Sequence, residues 1–442
     1  MNIKSKLFRP VDNSPLILFR MIFGLLLFLE AWGAIATGWV RKVFIDPSIT
    51  FPFMDFWWLQ PLPGYGMYAY YLVMGVAGIM VMLGFKYRWA MGLYALMWTG
   101  VYFMQKSNYN NHYYLLMILN YLMWLMPANE YYSLDAKNNP QIRSTTCPQW
   151  CHWVFIATMS IVYIYASVAK AYPDWLAAKP IGIWFNSKTD YWIIGPLLGK
   201  EWFQYFISWS GVVVDALFGL GLIWKRTRKY AFIGTIFFHL FNSAVFHIGI
   251  FPFLGIALGV FYFDPEVVRR IFFKKKPILD QLTLESNKYG ISNLKVFLMA
   301  LFLSIHILLP LRHWLFKGNV NWTEEGHRLS WRMMLRVKTG TVSFNIIDNN
   351  TNKKWVVKPS EYLTYKQASM VATRPDMLWQ FVQMLKKDLG KKGHLNVSIY
   401  ANSRVSLNGS RYKPLYDPDY DLAKAEWHLF KHAEWLRPFE DE

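Results

Sequence analysis

About nine stretches of this chain stay apolar for close to the roughly 20 residues that a helix needs to cross a hydrocarbon core. They run 15–39, 67–85, 89–104, 112–127, 151–170, 203–224, 230–247, 250–263 and 294–312. The third, fourth and eighth are short, which predicts tilted or broken spans. Residues 185–202, preceded by PDWLAAKP, are rich in Trp and Tyr and predict a segment lying in the membrane interface. After about Lys317 the pattern changes. Residues 331–357 read as strands separated by KTG and NNTNKK turns, 375–390 as an amphipathic helix opened by Pro375, 395–407 as a further strand pair and 421–436 as a last helix. The fold class expected is mainly α: a polytopic transmembrane helical bundle over 1–316, carrying an extracytoplasmic α+β domain over 317–442.

Composition agrees with a membrane class, since 54% of the 442 residues are hydrophobic and 19% aromatic. The net charge of +19 raises the question of nucleic acid. The basic residues, however, fall in short runs between apolar segments and form no single patch or tail, so no nucleic-acid partner is expected. Lys4, Lys6 and Arg9, then Lys86 and Arg88, then KRTRK at 225–229 and RRIFFKKK at 269–276 occupy alternate loops. The positive-inside rule makes these loops and the N-terminus cytoplasmic, and everything after the ninth helix extracytoplasmic. MNIKSKLFRP leads into an apolar stretch holding Arg20 and Glu30 with no small-residue cleavage site behind it, which predicts a retained helix. Cys147 and Cys151, spaced CPQWC, are neither a CxxC redox pair nor enough ligands for a zinc site.

Lys170 ends the long apolar run of IVYIYASVAKAYPDW. It reads either as a lysine snorkelling to water or as a desolvated amine able to take a proton from a weak acid such as a hydroquinone. The loop KSNYNNHYY brings Asn110, Asn111 and His112 to a helix start on the same side of the membrane. These side chains suit a carboxylate or an oxyanion, or they simply cap the helix. His239 and Asn242 share one face of the seventh helix, with His247 beyond them. Three such groups from one helix do not argue for a metal, and hydrogen bonding between helices accounts for them. Asp215 and Glu30 lie deep in apolar segments and need partners from other helices.

Six stretches in order, FRPVDNSPLILFRMIFG, KSNYNNH, ANEYYSLD, ASVAKAYPDW, FHLFNSAVFHIGIF and NWTEEGHRLSWRMM, resemble the vitamin K-dependent gamma-glutamyl carboxylase family with its HTTM-type membrane domain. The resemblance implies an enzyme that uses vitamin K hydroquinone, dioxygen and carbon dioxide. Oxygenation of the quinol to the epoxide would generate the base that removes a γ-proton from a glutamyl residue of a protein or peptide substrate, and carbon dioxide would add to the carbanion. By the same resemblance Lys170 is the base that deprotonates the quinol and His112 the carboxylation histidine. Asn111, Asn110, Tyr163, His239, Asn242, His327 and Trp331 would line the sites for substrate and for the prenylated quinone, with membrane lipid around them. The animal enzymes carry two adjacent lysines where this chain has Ala169 and Lys170, and an aromatic residue is expected where His327 stands. A quinol epoxidase that no longer carboxylates, and a non-enzymatic transporter or scaffold on the same fold, are the alternatives.

Overall fold

The computed structural model describes residues 3–53, 56–246, 248–279 and 289–439. Helices occupy all nine expected positions: α1 (Ser14–Ala36), α2 (Gly66–Leu83), α3 (Tyr87–Met104), α4 (Asn111–Leu125), α5 (Trp150–Lys170), α7 (Glu201–Gly221), α8 (Arg228–Phe246), α9 (Phe251–Leu258) and α11 (Asn293–Leu311). Two further helices, α6 (Lys179–Asn186) and α10 (Pro265–Phe272), lie between them.

Length and apolarity single out some of these helices as spans. Among the described residues five helices, α1, α2, α5, α7 and α11, have the length and apolarity to cross a membrane. A sixth span arises only if the pair around residue 263, bent by 116°, is taken as one. The reasons are local. At 15 residues α4 is about 22 Å long, short of a core of about 30 Å. Tyr, Trp and Arg88 dilute α3, while Arg228, Lys229, His239 and Asn242 dilute α8. The eighth stretch loses its α-hydrogen bonding at Gly259–Tyr262 and turns into α10.

The bundle owes its tightness to small residues. A Cβ at Gly24 of α1 would lie 2.2 Å from the Met82 backbone nitrogen, and one at Gly78 of α2 would lie 2.7 Å from that of Phe28. Only glycine lets these backbones approach so closely. At the opposite end from the C-terminal domain, β1 (Pro10–Asp12) pairs antiparallel with β2 (Thr146–Pro148). Lys276 donates there to Asp12 (2.5 Å), Asn13 (2.7 Å) and Ser14 (3.0 Å).

The C-terminal domain is a three-stranded antiparallel sheet ordered β4-β3-β5, with β3 (Lys338–Asp348), β4 (Lys354–Val357) and β5 (Val397–Leu407). Helices α12 (Tyr365–Thr373) and α13 (Pro375–Lys391) complete its core of Phe344, Ile346, Val371, Phe381, Leu385 and Ile399. The strand pair expected at 395–407 is one strand, because β5 pairs with β3 without a break from Val397↔Asp348 to Leu407↔Lys338. The last helix expected at 421–436 is a 3-10 turn at Leu422–Lys424 followed by extended chain. Side chains of α13 take the carbonyls that a helix would have used: Lys386 donates to Ala423 (3.0 Å) and Trp379 to Ala425 (2.9 Å). Residues 331–337 are irregular where strand was expected, and α12 was not anticipated, although Thr364 and Gln367 form the reciprocal capping box that marks its start.

The segment 318–337 joins the two halves and contributes to both cores. Trp322 packs into the C-terminal domain and Trp331 into the bundle, while Phe51 from the α1–α2 connection enters the domain core. Four side-chain-bearing residues of this segment, Glu324, Leu329, Trp331 and Met334, adopt positive φ. Such backbone persists only where the surroundings hold it, and it gathers at functional sites.

Candidate active site

Lys170 is the last residue of α5 and only 8% exposed. Its Nζ pairs with the Asp215 carboxylate of α7, and the indole of Trp175 lies with its centroid 5.7 Å from the same nitrogen. Trp175 is held by its own Nε1, which donates to the Ser208 carbonyl at 2.9 Å. Gly211 of α7 leaves room for the lysine stem, since a Cβ there would already touch Lys170 Cδ at 3.6 Å. The partner that Asp215 needs therefore comes from another helix, and it is the candidate base itself.

Two turns back along α5, the Tyr163 hydroxyl lies 2.9 Å from His239 Nε2 of α8. Gly255 of α9 makes space for this imidazole, because a Cβ there would stand 2.5 Å from Nε2. His239 Nδ1 is buried and has no hydrogen-bond partner among the described residues. His112, in the first turn of α4, stacks on Phe251 with centroids 3.9 Å apart.

These groups share one cavity, lined by Lys170, Asp215, Tyr163, His239, Asn242 and His112 among Val162, Ile181, Trp184, Ile207, Phe238, Phe246, Ile248 and Phe251. Ile181 and Trp184 of α6, which begins before the interfacial segment expected from Phe185 onward, form part of its wall. The apolar lining, with a few convergent polar groups, is that of a small-molecule site.

His112, Trp184, Met333 and Met334 also border a second chamber, of about 970 Å³, under the C-terminal domain. Here Arg332, Arg336, Lys338 and Arg374 face Glu324 and His327. Arg336 Nε donates to Glu324 Oε1 at 2.9 Å, and its Nη1 lies 3.1 Å from His327 Nε2. A guanidinium donates only, so the imidazole nitrogen it meets carries a lone pair. Burial first, then the charge of Arg336, holds His327 well below the usual histidine range. Burial pushes the Glu324 carboxyl up, but Arg336 and Lys338 outweigh it and hold the group well below the ordinary carboxylate range. Burial pushes Lys338 down to about 7, against the pull of Glu324.

The structure thus brings Lys170, His112, Tyr163, His239 and Asn242 to one cavity, and Asn110, Asn111, His112 and His327 to the other. Asn110 caps α4 by accepting from Tyr113 N at 2.7 Å. Asn111 Nδ2 donates to the Arg332 carbonyl at 2.9 Å and so ties the crossing segment to the bundle. Trp331 borders neither chamber. Its ring stacks on Tyr114 with centroids 4.9 Å apart and meets His306 edge-on, inside the bundle core. His247 lies outside the described residues. Among the described residues no three His, Cys, Asp or Glu side chains are grouped to hold a metal. Sequence reasoning missed the cations of the second chamber. Arg332, Arg336 and Lys338 in WRMMLRVK were the available signal, passed over because the stretch reads as a strand.

Residues 8–266 match the family model described as the HTTM domain, and residues 291–442 match that described as the vitamin K-dependent gamma-carboxylase lumenal domain. No solved structure matches the chain.

Proposed function

The chain belongs to the vitamin K-dependent gamma-carboxylase family, and from that premise we propose that it couples epoxidation of the reduced quinone in the apolar cavity to carboxylation of glutamyl side chains in the basic chamber. The observation that carries this reading is the position of His112, on the wall common to both spaces, with Lys170 in the first.

The apolar cavity fits a reduced naphthoquinone with a prenyl chain. Ile, Val, Phe and Trp side chains would hold the ring system and exclude water, and His239 Nδ1 is a buried polar atom free to meet a ring oxygen. When bound and oxygenated by dioxygen, the reduced quinone supplies a base strong enough for the γ-carbon of glutamate, which no amine can deprotonate unaided. Lys170 accepts the phenolic proton that starts the reaction. When the amine is protonated, Asp215 and the Trp175 face compensate its charge. Exclusion of water keeps a strong base from being quenched before it meets the carbon acid.

In the second chamber Arg332, Arg336, Lys338 and Arg374 offer more positive charge than Glu324 neutralises, which suits a glutamyl carboxylate and the second carboxylate that carbon dioxide creates. His112 stands where charge passes from one chamber to the other. The run of Lys and Arg in alternate loops supports an extracytoplasmic position for this chamber. Cysteine labelling from both sides of the membrane tests that orientation, and labelling of the C-terminal domain from the cytoplasmic side alone would reverse it.

The deciding experiment gives the purified, lipid-reconstituted chain reduced vitamin K, oxygen, bicarbonate and a glutamyl peptide, and measures both products. Wild type should form epoxide and carboxylated peptide. Lys170→Ala should lose about 10²–10⁴ of both rates, the usual contribution of a general base, and an added small amine should restore part of each. Folded Lys170→Ala protein that forms epoxide at the wild-type rate would remove Lys170 from this role.

A further inference from the structure

Glu30 of α1 lines a third cavity, of about 1430 Å³, whose wall includes His112, Tyr113, Gly249, Phe251 and Met334. His112 and Met334 border all three spaces. Tyr113 of α4 lines the same cavity as Glu30. Gly249, at φ +61, brings its backbone over the carboxylate, so that a Cβ there would lie 3.7 Å from Oε2. Among the described residues no cation pairs with Glu30. The other two acids differ, since Asp215 is committed to Lys170 and Glu324 to Arg336. Glu30 lies six residues, about 9 Å, below the C-terminal end of α1, and exposed Thr37 stands on the rim of the same cavity.

The balance of the reaction proposed above, on which this inference rests, demands an outlet. Oxidation of the quinol by dioxygen gives epoxide and water with no proton left over. Replacing a γ C–H of glutamate by a carboxylate from carbon dioxide, however, releases one proton per turnover. That proton is left on Lys170, which is buried among the side chains of the apolar cavity. Unless it leaves, Lys170 stays protonated and cannot start again.

We propose that Glu30, across His112 from Lys170, is the proton acceptor through which the site discharges this proton to water at the end of the bundle that carries the C-terminal domain. The carboxylate takes the proton, and the carboxylic acid releases it at the rim near Thr37. An intramembrane acid without a cation is costly in its charged form, which is the property of a group that cycles between two protonation states and not of a fixed structural charge.

Glu30→Gln keeps the shape of the side chain but cannot accept a proton. At saturating substrates its turnover should fall at least about 10-fold, with both KM values unchanged and a larger solvent deuterium isotope effect on kcat. Glu30→Asp should recover most of the rate. A second measurement needs no turnover: infrared difference spectra of the reconstituted chain between acidic and alkaline buffer should contain a carboxylic C=O band that moves in D2O and disappears in Glu30→Gln. Wild-type turnover and isotope effect in Glu30→Gln would overturn the inference. So would an infrared difference band that survives the substitution, whatever products the wild type makes. Failure of the wild type to carboxylate would count against the proposed function while leaving the band to be read.

Discussion

The two chambers that meet at His112 differ in almost every physical property. The one inside the bundle is lined by Ile, Val, Phe and Trp, and its one lysine is matched by one aspartate. The one under the C-terminal domain gathers four cations around a single glutamate. A strong base survives only where water is excluded, while a dicarboxylate product is stable only where charge is met by charge. Neither environment could serve both steps. The proposed reaction would use the bundle for the first and the C-terminal domain for the second, with His112, Trp184, Met333 and Met334 between. Coupling then depends on how firmly the domain sits on the bundle, and that firmness can be tested.

Asp376 at the start of α13 is the principal tie. It accepts from Arg328 of the crossing segment at 3.0 and 3.2 Å and pairs with Lys106 of the α3–α4 connection at 3.2 Å. Burial pushes its carboxyl up, but Arg328 and Lys106 hold it well below the usual range. Asp376→Ala leaves two largely buried cations unmatched and should cost about 3 kcal/mol, read as a lower thermal midpoint and faster proteolysis of the C-terminal domain. A change below about 1 kcal/mol would mean the domain is held elsewhere.

Removing the shared imidazole separates the chambers chemically. His112→Ala should reduce carboxylation by about 10²–10³, the scale of a lost group that stabilises developing charge, and epoxidation by much less. Equal loss of both products in folded protein would make His112 a part of the quinol cavity alone. Asn110, its neighbour, gives the control. Its Oδ1 is occupied as the cap of α4, so Asn110→Ala should lower stability by about 1 kcal/mol and leave the ratio of epoxide to carboxylated peptide unchanged.

The bundle half of this arrangement was more legible in the sequence than the other half. A lysine closing a long apolar run, and amides and imidazole at a helix start, stand out because burying such groups in a membrane is expensive. Asp215 stood out for the same reason, but its partner lies 45 positions away and only the packing of α5 on α7 shows it. In the second chamber the cost argument fails, because Arg332, Arg336 and Lys338 look like ordinary polar residues of a soluble domain until Glu324 and the bundle are seen beneath them. Trp331 stacks its face on Tyr114 in the bundle core, a contact between residues far apart in sequence. The helix expected at 421–436 failed for a related reason, since the side chains of α13 that satisfy its carbonyls are remote in sequence.

The smallest effect concerns the charge of the second chamber. Lys338 donates to the Trp322 carbonyl and lies 3.7 Å from Glu324. Burial lowers it to about 7, with Arg336 and Arg374 acting in the same sense and Glu324 against them. Its neighbours do not titrate with it: His327 stays neutral, Glu324 stays ionised and the arginines stay charged across neutrality. A glutamyl carboxylate, with an ordinary value near 4.3, is an anion throughout. Below about pH 7 Lys338 therefore adds a positive charge to the chamber, and above it that charge is withdrawn. The KM for glutamyl peptide should accordingly rise from about pH 6 to pH 8 by roughly 3- to 10-fold, about 1 kcal/mol for one charge acting through partly screened surroundings. The sign is fixed: weaker binding on the alkaline side. KM is the quantity to read, because kcat also carries the pH dependence of the quinol cavity. Lys338→Arg, which keeps its charge, should flatten the rise, and Lys338→Met should show the high alkaline value at both ends. A KM that falls with pH, or a rise that persists unchanged in Lys338→Arg, would place the titrating group outside the basic chamber and weaken the contrast between the two spaces.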